Sequence, residues 1–243
     1  GRGIGLAAAA ALADAGAQVT LVARTSAEID AAAAAIGKGA VAAVLDVSDL
    51  AAVERFFAAS DPYHVLVNNA GTNRPKPMWQ VTGDDYDAVL DLNVKSAFFV
   101  AQGCAKALIA GGEKGSLIHM GSQMGHVGGP NRSLYCASKW ALEGMSKAMA
   151  LDLAPHGIRS NTIAPTFIET PLTKPMFEDA VFKAKFGQYM QKYGPEGAAK
   201  AWFAGEGGMN NPNAKDVLGT SVAGYAQKFN AGMGGPQLAQ AGG

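Results

Sequence analysis

Two short stretches decide the fold of this chain: Ser116-Leu117-Ile118-His119-Met120-Gly121-Ser122 and Leu134-Tyr135-Cys136-Ala137-Ser138-Lys139. The apolar run in the first stretch predicts a strand that ends just before Ser122. The second stretch opens the segment Leu134–Leu153, which has the length and spacing of a long helix. Helical spacing then places Tyr135 and Lys139 on one face, about one turn from each other.

The same alternation of strand and helix runs through residues 1–165. Strands are predicted at Val19–Ala23, Ala40–Leu45, Val65–Val67, Ser116–Met120 and Ile158–Ile163, and helices at Leu6–Ala15, Ala27–Ile36, Asp49–Ala59, Gly83–Leu92, Val94–Ala110 and Leu134–Leu153. Strands that alternate with helices of this length indicate a doubly wound, Rossmann-like α/β fold with a parallel sheet. Ligands of such a fold bind at the carboxyl ends of the strands.

Three side chains near the second stretch can form a proton-transfer site. A positive charge beside a phenol favours the phenolate, so we expect Lys139 to lower the pKa of Tyr135. The hydroxyl of Ser122 can hold a carbonyl or alcohol oxygen of a substrate. Such a site suits the interconversion of an alcohol and a ketone, provided that a hydride carrier is bound.

The first residues of the chain fit a dinucleotide. Gly1-Arg2-Gly3-Ile4-Gly5 leads into a helix, and glycines there let backbone amides approach a pyrophosphate at the helix N-terminus. Glycines near a chain end are also typical of a linker. Arg24 follows the next strand, and an arginine there can pair with a 2′-phosphate, whereas an acid would favour NAD. With Arg2 nearby, the sequence favours NADP; the alternative is that Arg24 is a solvated surface charge.

Polar residues also follow the next two strands. Asp46 ends the strand Ala40–Leu45, and its carboxylate can accept a hydrogen bond from an adenine amino group. Asn68-Asn69-Ala70-Gly71 follows the strand after that, and its short side chains and glycine permit a tight turn against a ligand. Each of these features is also compatible with an ordinary turn.

Composition narrows the function classes. The chain has 243 residues, with 20 basic and 20 acidic side chains, and this balance argues against a nucleic-acid-binding surface. No apolar run is long enough to span a bilayer, so no membrane partner is expected. The two cysteines, Cys104 and Cys136, have no metal or redox spacing, and we expect no metal site. A cytoplasmic location is the default expectation.

Taken together, these motifs resemble the short-chain dehydrogenase/reductases over residues 1 to about 185. The resemblance rests on Gly3-Ile4-Gly5, Asp46-Val47, Asn68-Asn69-Ala70-Gly71, Asn93, Ser122, Tyr135-x-x-x-Lys139 and the stretch from Asn161 to Thr170. Any one of these motifs is weak. Their joint occurrence in the family order makes the resemblance specific.

The resemblance implies a role for each matching residue. Tyr135 would be the general acid/base, Lys139 would bind the nicotinamide ribose, and Ser122 would position the substrate oxygen. Asn93 would hold a water molecule in a proton relay to Lys139. The remaining matches would contact the cofactor: Asn69, Ala70 and Gly71 near the adenosine ribose, and Pro165, Ile168 and Thr170 along the nicotinamide.

The chain departs from the family pattern at both ends. The sequence opens inside the glycine motif, so we expect an N-terminally truncated domain whose first strand is missing; that strand is central in the family sheet, and its loss leaves two neighbours unpaired. Beyond about residue 185 the resemblance stops, and we expect a separate, irregular or helical tail over 186–243 without the last family strand. Residues 190–232 are similar to the late part of phage-type lytic transglycosylase domains, but the chain has no Glu-Ser pair, so no glycan cleavage is expected.

Two functions therefore stay open. The first is an NADP-dependent oxidoreductase, with NAD as the alternative cofactor, that acts on a small polyol, a sugar acid or a 3-oxoacyl substrate. The second is an inactive truncated or chimeric product that acts at most as a binding module. The family assembles through helices like Val94–Ala110 and Leu134–Leu153, whose small residues permit close packing, so we expect at most a dimer.

Overall fold

A computed structural model describes residues 1–166, 168, 170–171, 173–174 and 188–194. The chain divides into two units, Gly1–Thr170 and Pro171–Gly243. In the second unit, residues 188–194 are helical. The rest of the predicted tail over 186–243 lies outside the described residues. The predicted boundary at 185/186 and the missing last strand fall there too and stay predictions.

The first unit alternates strands and helices as the sequence predicts. Its strands are β1 (Thr20–Ala23), β2 (Val41–Val44), β3 (Val65–Asn68), β4 (Gly115–Met120) and β5 (Ile158–Ile163). Its α-helices are α1 (Gly3–Asp14), α2 (Ser26–Ile36), α3 (Leu50–Ala58), α4 (Gly83–Leu90), α5 (Ser96–Gly111) and α6 (Ser133–Leu153). Short 3₁₀ turns occupy Met78–Gln80, Gln123–Gly125 and Ala154–His156.

The strands form two parallel sheets rather than one. β1 pairs with β2, with Leu21 opposite Ala42, and β3, β4 and β5 form the second sheet in that order, with Leu117 between Leu66 and Ser160. Within the described residues, β1 and β3 each have one edge without a strand partner. That the absence of a family strand leaves two neighbours unpaired stays a prediction.

Each sheet has its own buried cluster. On the larger sheet, Leu117 and Ile158 pack with Phe57 of α3 and Leu108 of α5. The smaller sheet buries Leu21 of β1 against Ile29 and the alanines of α1 and α2. Because alanine buries little apolar area, the smaller cluster gains less hydrophobic free energy than the larger one.

One predicted interruption of a helix is absent. The sequence places two helices on either side of Asn93, but α4 runs into α5 through a π-helical turn over Asp91–Lys95. α4 begins with a capping box, in which Thr82 and Asp85 satisfy each other's backbone amides. The wide turn keeps both helices continuous and buries Asn93, as π-helical turns often do at functional sites. No helix in the described part of the chain is both long and apolar enough to cross a bilayer.

Candidate active site

The structure brings Ser122, Tyr135 and Lys139 together at the carboxyl end of β4. The Ser122 side chain lies close enough to the Tyr135 phenol to lower its pKa, and Ser122 Oγ accepts a hydrogen bond from the Met124 amide at 3.2 Å. Nζ of Lys139 lies 5.6 Å from the centre of the Tyr135 ring, one turn along α6. The predicted triad is therefore assembled as the spacing of the sequence indicated.

Burial shifts the pKa values of Tyr135 and Lys139 in opposite directions. Burial raises the pKa of Tyr135, while the Ser122 hydrogen bond and the charge of Arg132 act in the opposite direction. Burial also lowers the pKa of Lys139 to about 8. The Lys139 ammonium donates to the backbone carbonyl of Met120 at 2.7 Å rather than to the phenol. The net shift of the Tyr135 pKa is upward, because burial outweighs the opposing contributions of Ser122 and Arg132. The expected effect of Lys139 on this pKa stays a prediction.

Asn93 uses both of its amide hydrogens within the protein. Its Nδ2 donates to the Thr72 carbonyl at 2.9 Å and to Ser138 Oγ at 3.0 Å, and its Oδ1 accepts from the Thr72 amide at 2.7 Å. The Ser138 hydroxyl in turn donates to the carbonyl of Tyr135. Asn93 thus ties the turn after β3 to the helix that carries Tyr135. Its role as the holder of a relay water stays a prediction.

The glycine motif forms a narrow cradle at the start of α1. Gly3 has a φ of +60°, which favours glycine. A Cβ on Gly5 would lie 2.8 Å from Nδ2 of Asn69, and a Cβ on Gly3 would lie 3.6 Å from Thr170. Ile4 is partly buried in the first turn of the helix. The N-cap residue Arg2 makes no side-chain cap, and the first turn has no acid, so the backbone amides there are suited to an anion.

Both arginines predicted for a 2′-phosphate face carboxylates. NH1 of Arg24 lies 3.9 Å from Oδ2 of Asp46, and NH1 of Arg2 lies 3.7 Å from Oε1 of Glu28. The Asp46 carboxylate accepts from the hydroxyl and amide of Ser48, and these hydrogen bonds lower its pKa. Sequence reasoning missed Glu28, since it lies on α2 and reaches the glycine motif only in the folded chain.

The remaining predicted contacts lie around the same edge. A Cβ on Gly71 would lie 3.2 Å from Asn93 Oδ1 and 3.8 Å from Lys139 Nζ, so the turn after β3 passes close to the triad. The Pro165 carbonyl accepts from the Gln123 amide at 2.9 Å, which joins the segment after β5 to the Ser122 loop. Three further residues belong to the predicted cofactor contacts. Val47 packs against the core of the larger sheet, Ala70 is exposed and Ile168 is 44% exposed.

Comparison with known proteins agrees with this geometry. The family model for short chain dehydrogenases matches residues 1–181. This chain belongs to the short chain dehydrogenase family. It is 36% identical over 179 residues to L-xylulose reductase of Bos taurus, which covers 74% of this chain and 73% of the relative. It is 38% identical over 172 residues to galactitol 2-dehydrogenase of Agrobacterium fabrum, which covers 69% of this chain and 67% of the relative.

A solved dehydrogenase has the same fold. The crystal structure of a gluconate 5-dehydrogenase from Burkholderia cenocepacia, in complex with NADP and tartrate, superposes with a TM-score of 0.71 at 34% identity. The match covers 77% of this chain and 76% of that one. Family membership makes this chain an oxidoreductase by class, and its relatives are named for reactions on sugars, sugar acids and polyols.

The structure of this family member also shows a residue that the sequence analysis missed. Glu143 is buried one turn after Lys139 on α6 and accepts a hydrogen bond from Thr162 of β5. Nε2 of His126, in the loop after Ser122, lies 3.4 Å from the same carboxylate. An acid four residues after a functional lysine is the signal that could have found Glu143, since the two share a helix face.

Proposed function

We propose that this chain transfers a hydride between NADP(H) and a small alcohol or ketone, with Tyr135 as the general acid/base. One observation carries the proposal: Ser122, Tyr135 and Lys139 meet at the carboxyl end of β4, where Lys139 Nζ lies 5.6 Å from the centre of the Tyr135 ring and donates to the Met120 carbonyl. Ser122 and Tyr135 present a donor and an acid to one substrate oxygen, which alcohol–ketone chemistry requires. The glycine cradle at α1 lies in the same unit.

Each residue has a distinct part in the reaction. Ser122 holds the substrate oxygen, and Tyr135 gives that oxygen a proton in reduction or takes one in oxidation. Bound NADP(H) supplies the hydride acceptor or donor. Lys139 holds the nicotinamide ribose and the charge beside the phenol, while Asn93 fixes the turn after β3 against α6 and holds a relay water.

Residues at the carboxyl ends of β1 to β5 would hold the cofactor. Gly3, Ile4 and Gly5 face the pyrophosphate, where a side chain on Gly5 would strike Asn69. The other contacts that we assign to the cofactor are Asp46, Val47, Asn69, Ala70, Gly71, Pro165, Ile168 and Thr170. We assign NADP rather than NAD for two reasons. Arg2 lies in the glycine motif and Arg24 directly follows β1, and the solved gluconate 5-dehydrogenase carries NADP. NAD stays the alternative, since Asp46 and Glu28 partly neutralise the two guanidinium groups.

The substrate class follows from the relatives. L-xylulose reductase, galactitol 2-dehydrogenase and gluconate 5-dehydrogenase are named for polyhydroxylated substrates. We therefore place a small polyol or sugar acid ahead of a 3-oxoacyl substrate. An occupied site needs hydrogen-bonding groups for several hydroxyls, and the Ser122 loop offers Gln123 and His126 beside the catalytic pair.

Replacing the phenol tests the proposal. In Tyr135→Phe we expect turnover of xylulose, galactitol or gluconate with NADP(H) to fall at least about 100-fold, because the general acid is gone. NADPH binding, followed by nucleotide fluorescence and compared with NADH, should stay within about twofold. Tyr86→Phe on the exposed face of α4 is the matched control. A Tyr135→Phe enzyme with near-normal rates would show that another group is the acid/base.

The divided sheet favours a second candidate, a protein that binds without catalysis. Within the described residues β1 and β3 are not joined, and the helix that carries the glycine motif packs on the smaller sheet and meets the larger one at Asn69. The test combines two measurements. If NADPH fluorescence shows no binding while near-UV circular dichroism shows fixed aromatic side chains, the protein is folded but does not bind the cofactor, and the proposal of a binding module replaces that of an enzyme. Tight NADPH binding with turnover excludes it.

Three further expectations stay predictions. We infer a dimer at most, through α5 and α6, and a cytoplasmic location. We also keep the resemblance of residues 190–232 to phage-type lytic transglycosylases as a prediction without glycan cleavage, since the family match ends at residue 181. The proposed hydride transfer depends on none of the three.

A further inference from the structure

A buried carboxylate joins three elements beside the proposed triad. Glu143 is 7% exposed, and its Oε2 accepts a hydrogen bond from Thr162 Oγ1 of β5 at 2.7 Å. Its Oε1 lies 3.4 Å from Nε2 of His126 and makes no hydrogen bond of ordinary geometry with any described residue. Burying a charged oxygen that has no hydrogen-bond partner costs folding free energy unless a cation faces it. The protein therefore retains this carboxylate at a cost in stability.

The Ser122 loop passes directly over the carboxylate. A Cβ on Gly121, the residue before Ser122, would lie 2.9 Å from Glu143 Oε1, and a Cβ on Gly125 would lie 3.3 Å from Glu143 Cγ. The loop then continues to His126, whose ring packs edge-on against Trp140 with centroids 6.4 Å apart. Both ends of the turn that carries Ser122 thus rest on the Glu143 side chain.

We propose that Glu143 is a positioning residue of the active site, which fixes the Ser122 loop through His126 and supplies the negative charge one turn from Lys139. The proposal rests on the proposed function of Ser122, Tyr135 and Lys139. In this proposal Glu143 touches neither the substrate oxygen nor the phenol. It sets the position of the Ser122 loop and the charge beside Lys139.

The surroundings of Lys139 leave Glu143 as its main anionic partner. Burial lowers the pKa of Lys139 to about 8, and Glu143 acts in the opposite direction. On α6 the other titratable groups near Lys139 are Tyr135 and Cys136, and burial raises the pKa of both. The turn before α5 contributes the neutral Asn93, and α4 contributes Asp85, whose carboxylate is paired with two cations of the preceding loop.

The other packed elements add little charge. β4 offers Lys139 the Met120 carbonyl, and its buried His119 has a pKa lowered to about 4 by burial, so it is neutral near pH 7. β5 presents the hydroxyls of Thr162 and Ser160 to α6. His126 is the titratable group of the loop, and it faces Glu143. Removing the carboxylate should therefore make the ammonium easier to deprotonate.

The pH dependence of turnover tests the inference. Glu143→Gln keeps the shape and the Thr162 contact but removes the charge. Because the ammonium then loses its proton at lower pH, the alkaline fall of kcat should move down by about one pH unit. NADPH affinity should change by less than about twofold, since no assigned cofactor contact is removed. The matched control is Glu54→Gln on the exposed face of α3, which should leave the profile unchanged.

A second variant separates position from charge. Glu143→Asp keeps the charge but withdraws it from the loop by one methylene, so kcat should fall and substrate KM should rise with little movement of the alkaline limb. If Gln and Asp variants both retain wild-type kcat, KM and pH profile, the inference is overturned. A purely structural role would lower the melting temperature without moving the alkaline limb, and that result also overturns it.

A measurement without turnover distinguishes this failure from failure of the proposed function. The ¹³Cε resonance of Lys139 in ¹³C-lysine-labelled protein, assigned by its loss in Lys139→Arg, reports the titration of the ammonium directly. Glu143→Gln should lower the midpoint by about one unit even in a protein that turns over no substrate. An unshifted midpoint contradicts the inference whether or not the chain is an active enzyme.

Discussion

At the scale of single residues, burial is the main cause of the shifted pKa values of His119, Tyr135 and Lys139. His119 lies near the carboxyl end of β4 and is fully buried, and neither ring nitrogen has a hydrogen-bond partner among the described residues. Burial lowers its pKa to about 4, from an ordinary value of 6.5. The folded state therefore holds His119 neutral at pH values at which the unfolded chain binds a proton.

This difference predicts a loss of stability in acid. Since the unfolded state binds more protons below pH 6.5, the His119 contribution is complete above that value and falls as pH drops towards 4, by up to about 3 kcal/mol. His119→Leu removes the titration, so the unfolding free energy of this variant should fall less between pH 7 and pH 4.5 than that of the wild type. Urea unfolding at each pH measures it.

The exposed His156 supplies the control for this experiment. His156→Leu should retain the wild-type dependence on pH, because the group that it removes is solvated in both states. At pH 7 the His119→Leu protein should be close to the wild type in stability, since replacing an unpartnered buried polar group by an apolar one costs little. Parallel curves for all three proteins would show that His119 is not the titrating group.

Sequence reasoning reached the site residues that depend on local spacing. Tyr135 and Lys139 share a face because they lie on one helix, and Ser122 meets them because β4 and α6 are consecutive elements. The pKa of Tyr135 could not be predicted from the sequence, because desolvation of the phenol depends on which elements cover it. Glu143 and Glu28 were missed for a related reason: their partners His126 and Arg2 come from other elements.

At the scale of elements, close approach of helices decides which glycines are replaceable. A Cβ on Gly103 of α5 would lie 2.4 Å from the Phe57 ring of α3, so the two helices pack through this position. A Cβ on Gly144 of α6 would meet nothing within 4 Å. The sequence shows two helical glycines of the same kind, and only the packed structure distinguishes them.

The same substitution should therefore have opposite effects in the two helices. Gly144→Ala should stabilise the protein by about 0.5–1 kcal/mol, because alanine loses less backbone entropy in a helix. Gly103→Ala should destabilise it by about 1–3 kcal/mol, because Phe57 must leave its place between α3 and α5. Thermal unfolding of both variants against the wild type measures the difference. If Gly103→Ala is as stable as Gly144→Ala, the two helices do not pack closely through Gly103.

At the scale of the first unit, the alternation of strands and helices predicted the α/β fold. What it did not predict is that each sheet keeps its own core. The larger sheet buries Leu117 and Ile158 among leucine and phenylalanine side chains, whereas the smaller one is covered mainly by alanines of α1 and α2. The glycine motif that we propose as the cofactor cradle begins on the less stabilised part.

Hydrogen exchange should reveal this division. Because β1 and β2 bury less apolar area and share no strand with the larger sheet, we expect their amides to exchange at least about tenfold faster than those of β4, a difference of about 1.4 kcal/mol in opening free energy. β5 is the internal control, since it is also an edge strand among the described residues but packs on the larger core. If the position of a strand at the edge of a sheet alone sets the exchange rates, β5 will exchange as fast as β1.

Saturating NADPH should slow exchange in β1 and β2 more than in β4, because binding stabilises the smaller sheet and α1, where we propose that the phosphates are held. Equal protection across all five strands, with and without NADPH, would mean that the two sheets open as one cooperative body.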